Sequence, residues 1–343
     1  MIRTITFFAL LICMFCSLIL PAAASPPELP GNPKGAFPWA YPPGVSPLLL
    51  LPGFVSTGWN ERDMAVSTDG REFFFGVTMG DISTIMVTRM NETGDWSPPV
   101  VADFARDFHY FHFEPALAPD GQRIYFLTTR PTKGEEDRPG WRNQNIFYSE
   151  RRSDGSWSPP IDPGPPVNSL DAEYFPSFTE SGSLYFTRQS AKDGKTAIYR
   201  ARPRGNGFGE PEKLPAPVNQ GATIYNACVS PDESVLIACV IPRESPRGTP
   251  ASYQAFFRIE GNSWSPGIRL SDSKAFAECP AIAASFSPDG KFFFFATRRV
   301  APKWKKASRT RKNMEIRRHS PENGNSDIYW VPADFLSGLR PKK

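Results

Sequence analysis

The chain has 343 residues, 40% of them hydrophobic and 13% aromatic, with 37 prolines, 26 glycines and a formal net charge of +4. That much apolar chain can bury a large core, which excludes global disorder, and glycines without a three-residue period exclude a collagen-like repeat. Proline recurs so often that few stretches could hold a helix of average length, which leaves an all-β fold as the expectation.

Arg3 precedes an apolar run from Ile5 to Leu20, and the small residues Pro21 to Ala24 follow. This is the pattern of a secretory signal cleaved after Ala24, so residues 1–24 are read as a signal peptide. The alternative is a retained anchor, because about 16 apolar residues fall only slightly short of a span of roughly 20. Neither Cys13 nor Cys16 follows a lipoprotein pattern. The mature protein is therefore expected in the periplasm or secreted, with a Pro-rich leader at 25–44, one folded domain at 45–335 and a basic tail at 336–343.

From residue 55 onward a repeat sets the organisation. Ser67-Thr68-Asp69-Gly70 precedes Phe73 to Phe75, Ala118-Pro119-Asp120-Gly121 precedes Ile124 to Phe126, and Thr179-Glu180-Ser181-Gly182 precedes Leu184 to Phe186. Ser287-Pro288-Asp289-Gly290 precedes Phe292 to Phe295, whereas Ser230-Pro231-Asp232-Glu233 before Val235 has lost its glycine. Asp-Gly between β-rich runs signals a hairpin, since glycine supplies the positive φ that the turn needs. Each hairpin is followed by a third run (Ile85, Ile146, Ile198, Phe256 and Ile328 begin them). In the first four units a fourth element follows, anchored by Trp96, Trp157, Phe208 and Trp264 at intervals of 61, 51 and 56 residues. A four-stranded unit at that period is a propeller blade.

Five units can be counted, and the last lacks its fourth strand. The missing strand stands at the other end of the chain, in the run Leu48 to Leu51, so the expected fold is a five-bladed β-propeller closed by an N-terminal strand. A sixth blade would require a different reading of residues 26–60.

The Ser-Pro-Asp-Gly hairpins, Asp327-Ile328-Tyr329-Trp330 and the Gly-x-Trp-x-x-Pro outer strand resemble the WD40-like, TolB-type β-propeller repeat of exported bacterial proteins. The resemblance covers about residues 45 to 335. It implies an all-β disc whose channel mouth binds proteins, peptides or glycans. TolB proteins also carry an amino-terminal α/β domain, whereas here fewer than 40 residues separate signal and propeller.

Residues that lead into the inner strands crowd one channel mouth. Glu61, His112 and Glu173 stand nine residues before their turn glycines; Tyr225 and Asn226 in blade four and Glu278 in blade five are the nearest equivalents. Such a ring could bind a cation, a cationic group or a polyol, and the alternative is that each side chain serves its own strand. His109 and His112 fall on opposite faces of a regular strand; Glu114 shares a face with His112, which leaves a metal or an acid/base pair as the alternative, and no metal or other cofactor is expected. No nucleophile elbow or metalloprotease helix is present. Cys228, Cys239 and Cys279 lie in apolar runs and read as core residues, with one internal disulfide as the alternative.

Ten Lys or Arg residues against one Glu lie between Arg298 and Arg318. The segment separates the second and third strands of the last blade and is read as a solvated loop, with an anionic polymer as its alternative role and nucleic acid excluded by export. The expected function is an exported, non-catalytic, monomeric binding scaffold. The alternative is a glycan-active lyase or hydrolase resembling the oligogalacturonate lyases.

Overall fold

The computed structural model describes residues 33–38, 44, 46–138, 140–220, 223–261, 263–273, 275–277 and 279–341. The signal, most of the leader and Glu278 lie outside these residues. Among the described residues no helix is long and apolar enough to cross a membrane.

Five antiparallel sheets form the blades of a β-propeller. Blade one runs from its inner strand Asn60–Val66 through Glu72–Met79 and Ile82–Arg89 to Val100–Val101. Blade two contains His112–Leu117, Arg123–Thr128 and Asn145–Glu150, and its fourth element is reduced to the isolated pairings of Tyr148 with Ile161 and Arg151 with Trp157. Blade three contains Ala172–Phe178, Leu184–Gln189, Thr196–Ala201 and Glu212–Lys213; blade four contains Thr223–Val229, Val235–Ile241, Ser252–Phe257 and Ile268–Arg269. Blade five contains Ala283–Phe286, Phe292–Val300 and Asn323–Pro332, and its outer strand is Leu48–Leu49. Leu48 pairs with Trp330 and Leu49 with Tyr329, so the disc is closed by the N-terminal strand as the sequence predicts.

The hairpin motif closes itself through its own side chains. In three blades the serine hydroxyl donates to the aspartate two residues on, at 2.6 Å for Ser67 and Asp69, Ser230 and Asp232, and Ser287 and Asp289. The same hydroxyl then accepts the amide of the residue that starts the next strand, at 2.9 Å for Glu72, Val235 and Phe292. Side chains of this kind compete well for turn amides, which is why the motif is legible from sequence. Gly70, Gly121, Gly182 and Gly290 all take positive φ.

Glu233 occupies the same place with φ 59°, a conformation that is strained for a residue with a Cβ. Its carboxylate bridges Arg200 Nη1 of blade three at 3.0 Å and Arg258 Nη2 of blade four at 2.8 Å, and accepts from the Tyr185 hydroxyl. The glycine is thus exchanged for an inter-blade clamp. Glu72 does the same between blades one and two, paired with Arg89 and Arg151.

Aromatic triplets explain the core. Side chains alternate across a strand, so the second strand of each blade sends odd and even residues to its two neighbours. Phe74 packs with Phe104, Phe126 and Trp157 between blades one and two, while Phe73 and Phe75 join Phe292, Phe294 and Trp330 between blades one and five. Phe293 and Phe295 turn the other way, toward Tyr253 and Phe276 of the seam with blade four. Both faces are buried, and the strands therefore read as unbroken apolar runs rather than alternating ones.

Trp157 and Trp264 of the fourth elements repeat one contact. Arg151 lies over the Trp157 ring with its guanidinium carbon 4.4 Å from the centroid, and Arg258 lies over Trp264 at 4.3 Å. Cys228, Cys239 and Cys279 are all buried, and Cys279 Sγ accepts from Arg299 Nη2 at 2.8 Å. The segment expected as a loop instead forms two short helices, Pro302–Lys306 and Arg311–Arg318.

Candidate functional site

The inner strands pack against one another in ring order around the channel. Four of them share a feature that the sequence did not disclose. Asp63, Glu114, Phe175 and Asn226 all have positive φ, between 49° and 57°, and each marks a slip in register against the second strand. These are β-bulges at one height in four blades.

A bulge frees an amide from the ladder, and here the freed amides join blades. Glu114 N donates to Asp63 Oδ2 at 3.3 Å and Phe175 N to Glu114 Oε2 at 2.8 Å. Asn226 N donates to Thr187 Oγ1 at 3.0 Å, and Asn226 Nδ2 reaches Ile282 O of blade five at 2.8 Å. The channel wall is therefore held by a polar circuit running from blade to blade.

Arg62 sits between the two carboxylates of this circuit. Its Nε donates to Asp63 Oδ2 at 2.8 Å and its Nη2 to Glu114 Oε1 at 3.1 Å, with the guanidinium over the Phe113 ring. Burial raises the Glu114 carboxyl to about 8, helped by the charge of Asp63 and opposed by Arg62. Burial also raises Asp63. For Arg62 burial disfavours the charge, but Asp63 and Glu114 outweigh it and keep the guanidinium ionised. Two carboxylates share one cation, and Asp63 Oδ1 is buried without a partner among the described residues.

Asp63, Glu114 and Phe175 form the inner end of a cavity of about 920 Å³. It opens on the face of the hairpin turns, between inner strands and the segment Ala333 to Arg340. The opposite side of the bulges is crowded by Arg62, Phe113, Tyr174 and Tyr225, the residues that precede the bulges in four successive blades. These side chains are buried or half-buried, and Trp141 stacks on Phe113 with 4.9 Å between centroids.

The sequence placed its ring one residue earlier, and that position does not face the channel. Glu61 is buried, bonded to the Thr57 hydroxyl and amide; burial raises it to about 7. Glu173 is buried against Ser169 and Arg188, 2.7 Å from Arg188 Nε. His112 is fully buried beside Phe126, with no hydrogen-bond partner within bonding distance of either ring nitrogen among the described residues, and burial followed by the charge of Arg130 lowers it to about 4. No hydrogen bond or ion pair among the described residues joins any two of these three. The pleat sends them between blades. Tyr225 is half-buried, Asn226 is buried with its Nδ2 bonded to Ile282 O, and Glu278 lies outside the described residues.

His109 is exposed, with Nε2 3.3 Å from Asp137. Among the described residues no group of three or more His, Cys, Asp or Glu side chains could hold a metal ion. Sequence reasoning missed Arg62, Asp63 and Tyr174 and paired Glu114 with His112. The available signal was the charged run Glu61-Arg62-Asp63 immediately before the apolar Met64-Ala65-Val66 of an inner strand.

Glu173→Gln tests the packing role directly. Arg188 would lose its charged partner in a nearly closed site, with a cost of about 1 to 3 kcal/mol. Urea unfolding of the variant should shift accordingly, and an unchanged midpoint would mean that the pair contributes nothing.

No protein-family model and no curated protein matches the chain. Among solved structures, it is similar to TolB from Acinetobacter baumannii, with 16% identity, a TM-score of 0.44, and coverage of 79% of this chain and 54% of that one. The chain therefore spans about half the length of that TolB. An α-L-arabinofuranosidase from Lactobacillus brevis gives 13% identity and a TM-score of 0.46 over 81% of this chain and 91% of that one. A gluconolactonase from Xanthomonas campestris gives 13% and 0.45 over 79% and 84%.

Proposed function

We propose that the chain is an exported, non-catalytic propeller that binds its ligand in the central channel, and that Asp63 and Glu114 receive a cationic group of that ligand. The observation that supports this reading is the two-to-one arrangement of carboxylates around Arg62 at the inner end of a large cavity, with Asp63 Oδ1 unpartnered. Burying a carboxylate oxygen without a partner is costly, and a ligand ammonium or guanidinium relieves that cost. A basic side chain of a peptide or partner protein fits the demand. A lyase reading that uses His112 is disfavoured by the complete burial of that ring.

Binding a cation beside Glu114 should release its proton near neutral pH, because the carboxyl is raised to about 8 in the free protein. Short Arg- and Lys-containing peptides, polyamines and neutral oligosaccharides are to be compared by thermal stabilisation, then by calorimetry in buffers of different ionisation enthalpy. Cationic peptides should stabilise the protein and release protons. Asp63→Asn should weaken them at least about 30-fold, since truncating a buried charge pair typically costs 2 kcal/mol or more. Asparagine tolerates positive φ and already occupies the equivalent position as Asn226, so the backbone should survive. Stabilisation by neutral oligosaccharides alone, equal in parent and variant, would replace this reading with a glycan site.

A further inference from the structure

We infer that the segment from Arg298 to Arg318 is a docking surface for an anionic polysaccharide, separate from the channel. It carries a local net charge of +9 in a chain whose total is +4, so the remainder of the protein is negative by five charges. Eight of its ten cations, Arg298, Lys303, Lys305, Lys306, Arg309, Arg311, Lys312 and Arg318, are exposed. Among the described residues these eight make no ion pair, although acidic side chains elsewhere are widely paired. An isolated positive pole on a negative body has no internal use for its charge.

The segment is seated rather than free. Arg317 Nη2 donates to Asn323 O at 2.6 Å, and Asn323 and Asn325 both donate to Gly58 O at 2.9 Å. A Cβ on Gly58 would stand 2.0 Å from Arg318 O, so the second helix rests directly on the loop of blade one. The cations are thus presented by a shaped surface, which lowers the ordering cost of binding.

Their arrangement distinguishes the partner. In the helix Arg311–Arg318, Asn313 and Arg317 are half-buried toward the protein, which leaves Arg311, Glu315 and Arg318 on the outward stripe with Met314 and Ile316 at its flanks. A membrane-inserting helix points an apolar face outward; this one points charge. A linear polyanion needs only closely spaced cations that displace its counterions. Glycans are the polyanions met by an exported chain.

Binding of labelled polygalacturonate and dextran sulfate is to be measured by anisotropy between 20 and 300 mM salt. Neutral dextran, double-stranded DNA and vesicles with 30% anionic lipid serve as comparisons. The parent should bind the two anionic polysaccharides with steep salt dependence. The variant Lys303→Gln/Lys305→Gln/Lys306→Gln/Arg309→Gln/Arg311→Gln/Lys312→Gln should lose at least tenfold in affinity at 50 mM salt, with a log–log slope smaller by about four. Lys133→Gln/Lys192→Gln/Lys213→Gln, altered on other blades, should stay within about twofold. The triple variant Arg309→Gln/Arg311→Gln/Lys312→Gln should fall between parent and sextuple, and each variant is to be checked by its melting curve. Equal losses in the segment and control variants, unchanged binding of a folded sextuple variant, or tighter binding to vesicles or DNA than to either polysaccharide would overturn the inference.

Discussion

Deletion of residues 46–52 is expected to abolish cooperative melting near the parent temperature and to drive aggregation. These few residues supply the outer strand of blade five, and Leu50 N donates to Ile328 O at 2.8 Å. Leu50 is fully buried in the seam with Phe73, Phe294 and Trp330, and Phe54 and Val55 follow it into the same core. Without the strand, the ten-residue strand Asn323–Pro332 becomes an exposed edge, a template for pairing with other chains. The milder substitution Leu50→Ala removes a fully buried side chain and should cost about 2 to 5 kcal/mol. Calorimetry and light scattering read both changes. A truncated protein that stays monomeric and melts at the parent temperature would show that closure lies elsewhere.

Stability should fall as pH rises from 5.5 to 8.5. Burial, with its neighbours' charges added for two of them, raises Glu61 to about 7, Glu114 to about 8 and Asp327 to about 8. For Asp327 the charges of Glu61 across the closing seam and of Glu322 add to the burial. In the unfolded chain these groups are already ionised above about pH 4.5. The folded state therefore binds more protons than the unfolded state in this window, and the linkage relation makes stability decrease with pH. Their contribution is complete below the unfolded values and is lost as pH passes 7 to 8. The carboxyls of Asp232, Glu233 and Asp289 are instead lowered, so they stay ionised throughout the window and do not offset the loss; His112, lowered to about 4, works the other way, but only below about pH 7 and by about 1.4 kcal/mol from pH 5.5, less than the three carboxyls take away. A decrease of at least about 2 kcal/mol is expected from shifts of this size. Urea midpoints at pH 5.5, 7.0 and 8.5 measure it, and Glu114→Gln or Asp327→Asn should flatten the profile. A flat or rising profile in the parent protein would sink the account.

The five-bladed fold was legible because its signals are local. A serine and an aspartate in one turn satisfy its amides within five residues, and the hydroxyls of Ser67, Ser230 and Ser287 do so whether glycine or Glu233 follows. The aromatic triplets carry the second signal, since a strand buried on both faces needs no alternation. Even the closing strand could be inferred, from a count of strands and the cost of an open edge.

Which side chains face the channel was decided by tertiary structure. Period-two alternation fixes a face only while the strand stays regular, and a single extra residue reverses it. Asp63, Glu114, Phe175 and Asn226 bulge where five inner strands converge, and the amides of Glu114, Phe175 and Asn226 bond to neighbouring blades distant in sequence. Nothing within Glu61-Arg62-Asp63 announces that bond. The same holds for Glu233, whose strained backbone is explained only by Arg200 and Arg258 from two blades. Local turn chemistry determined how many blades this protein has, while closure of the ring determined which residues its channel presents, because only closure brings the inner strands within hydrogen-bonding reach.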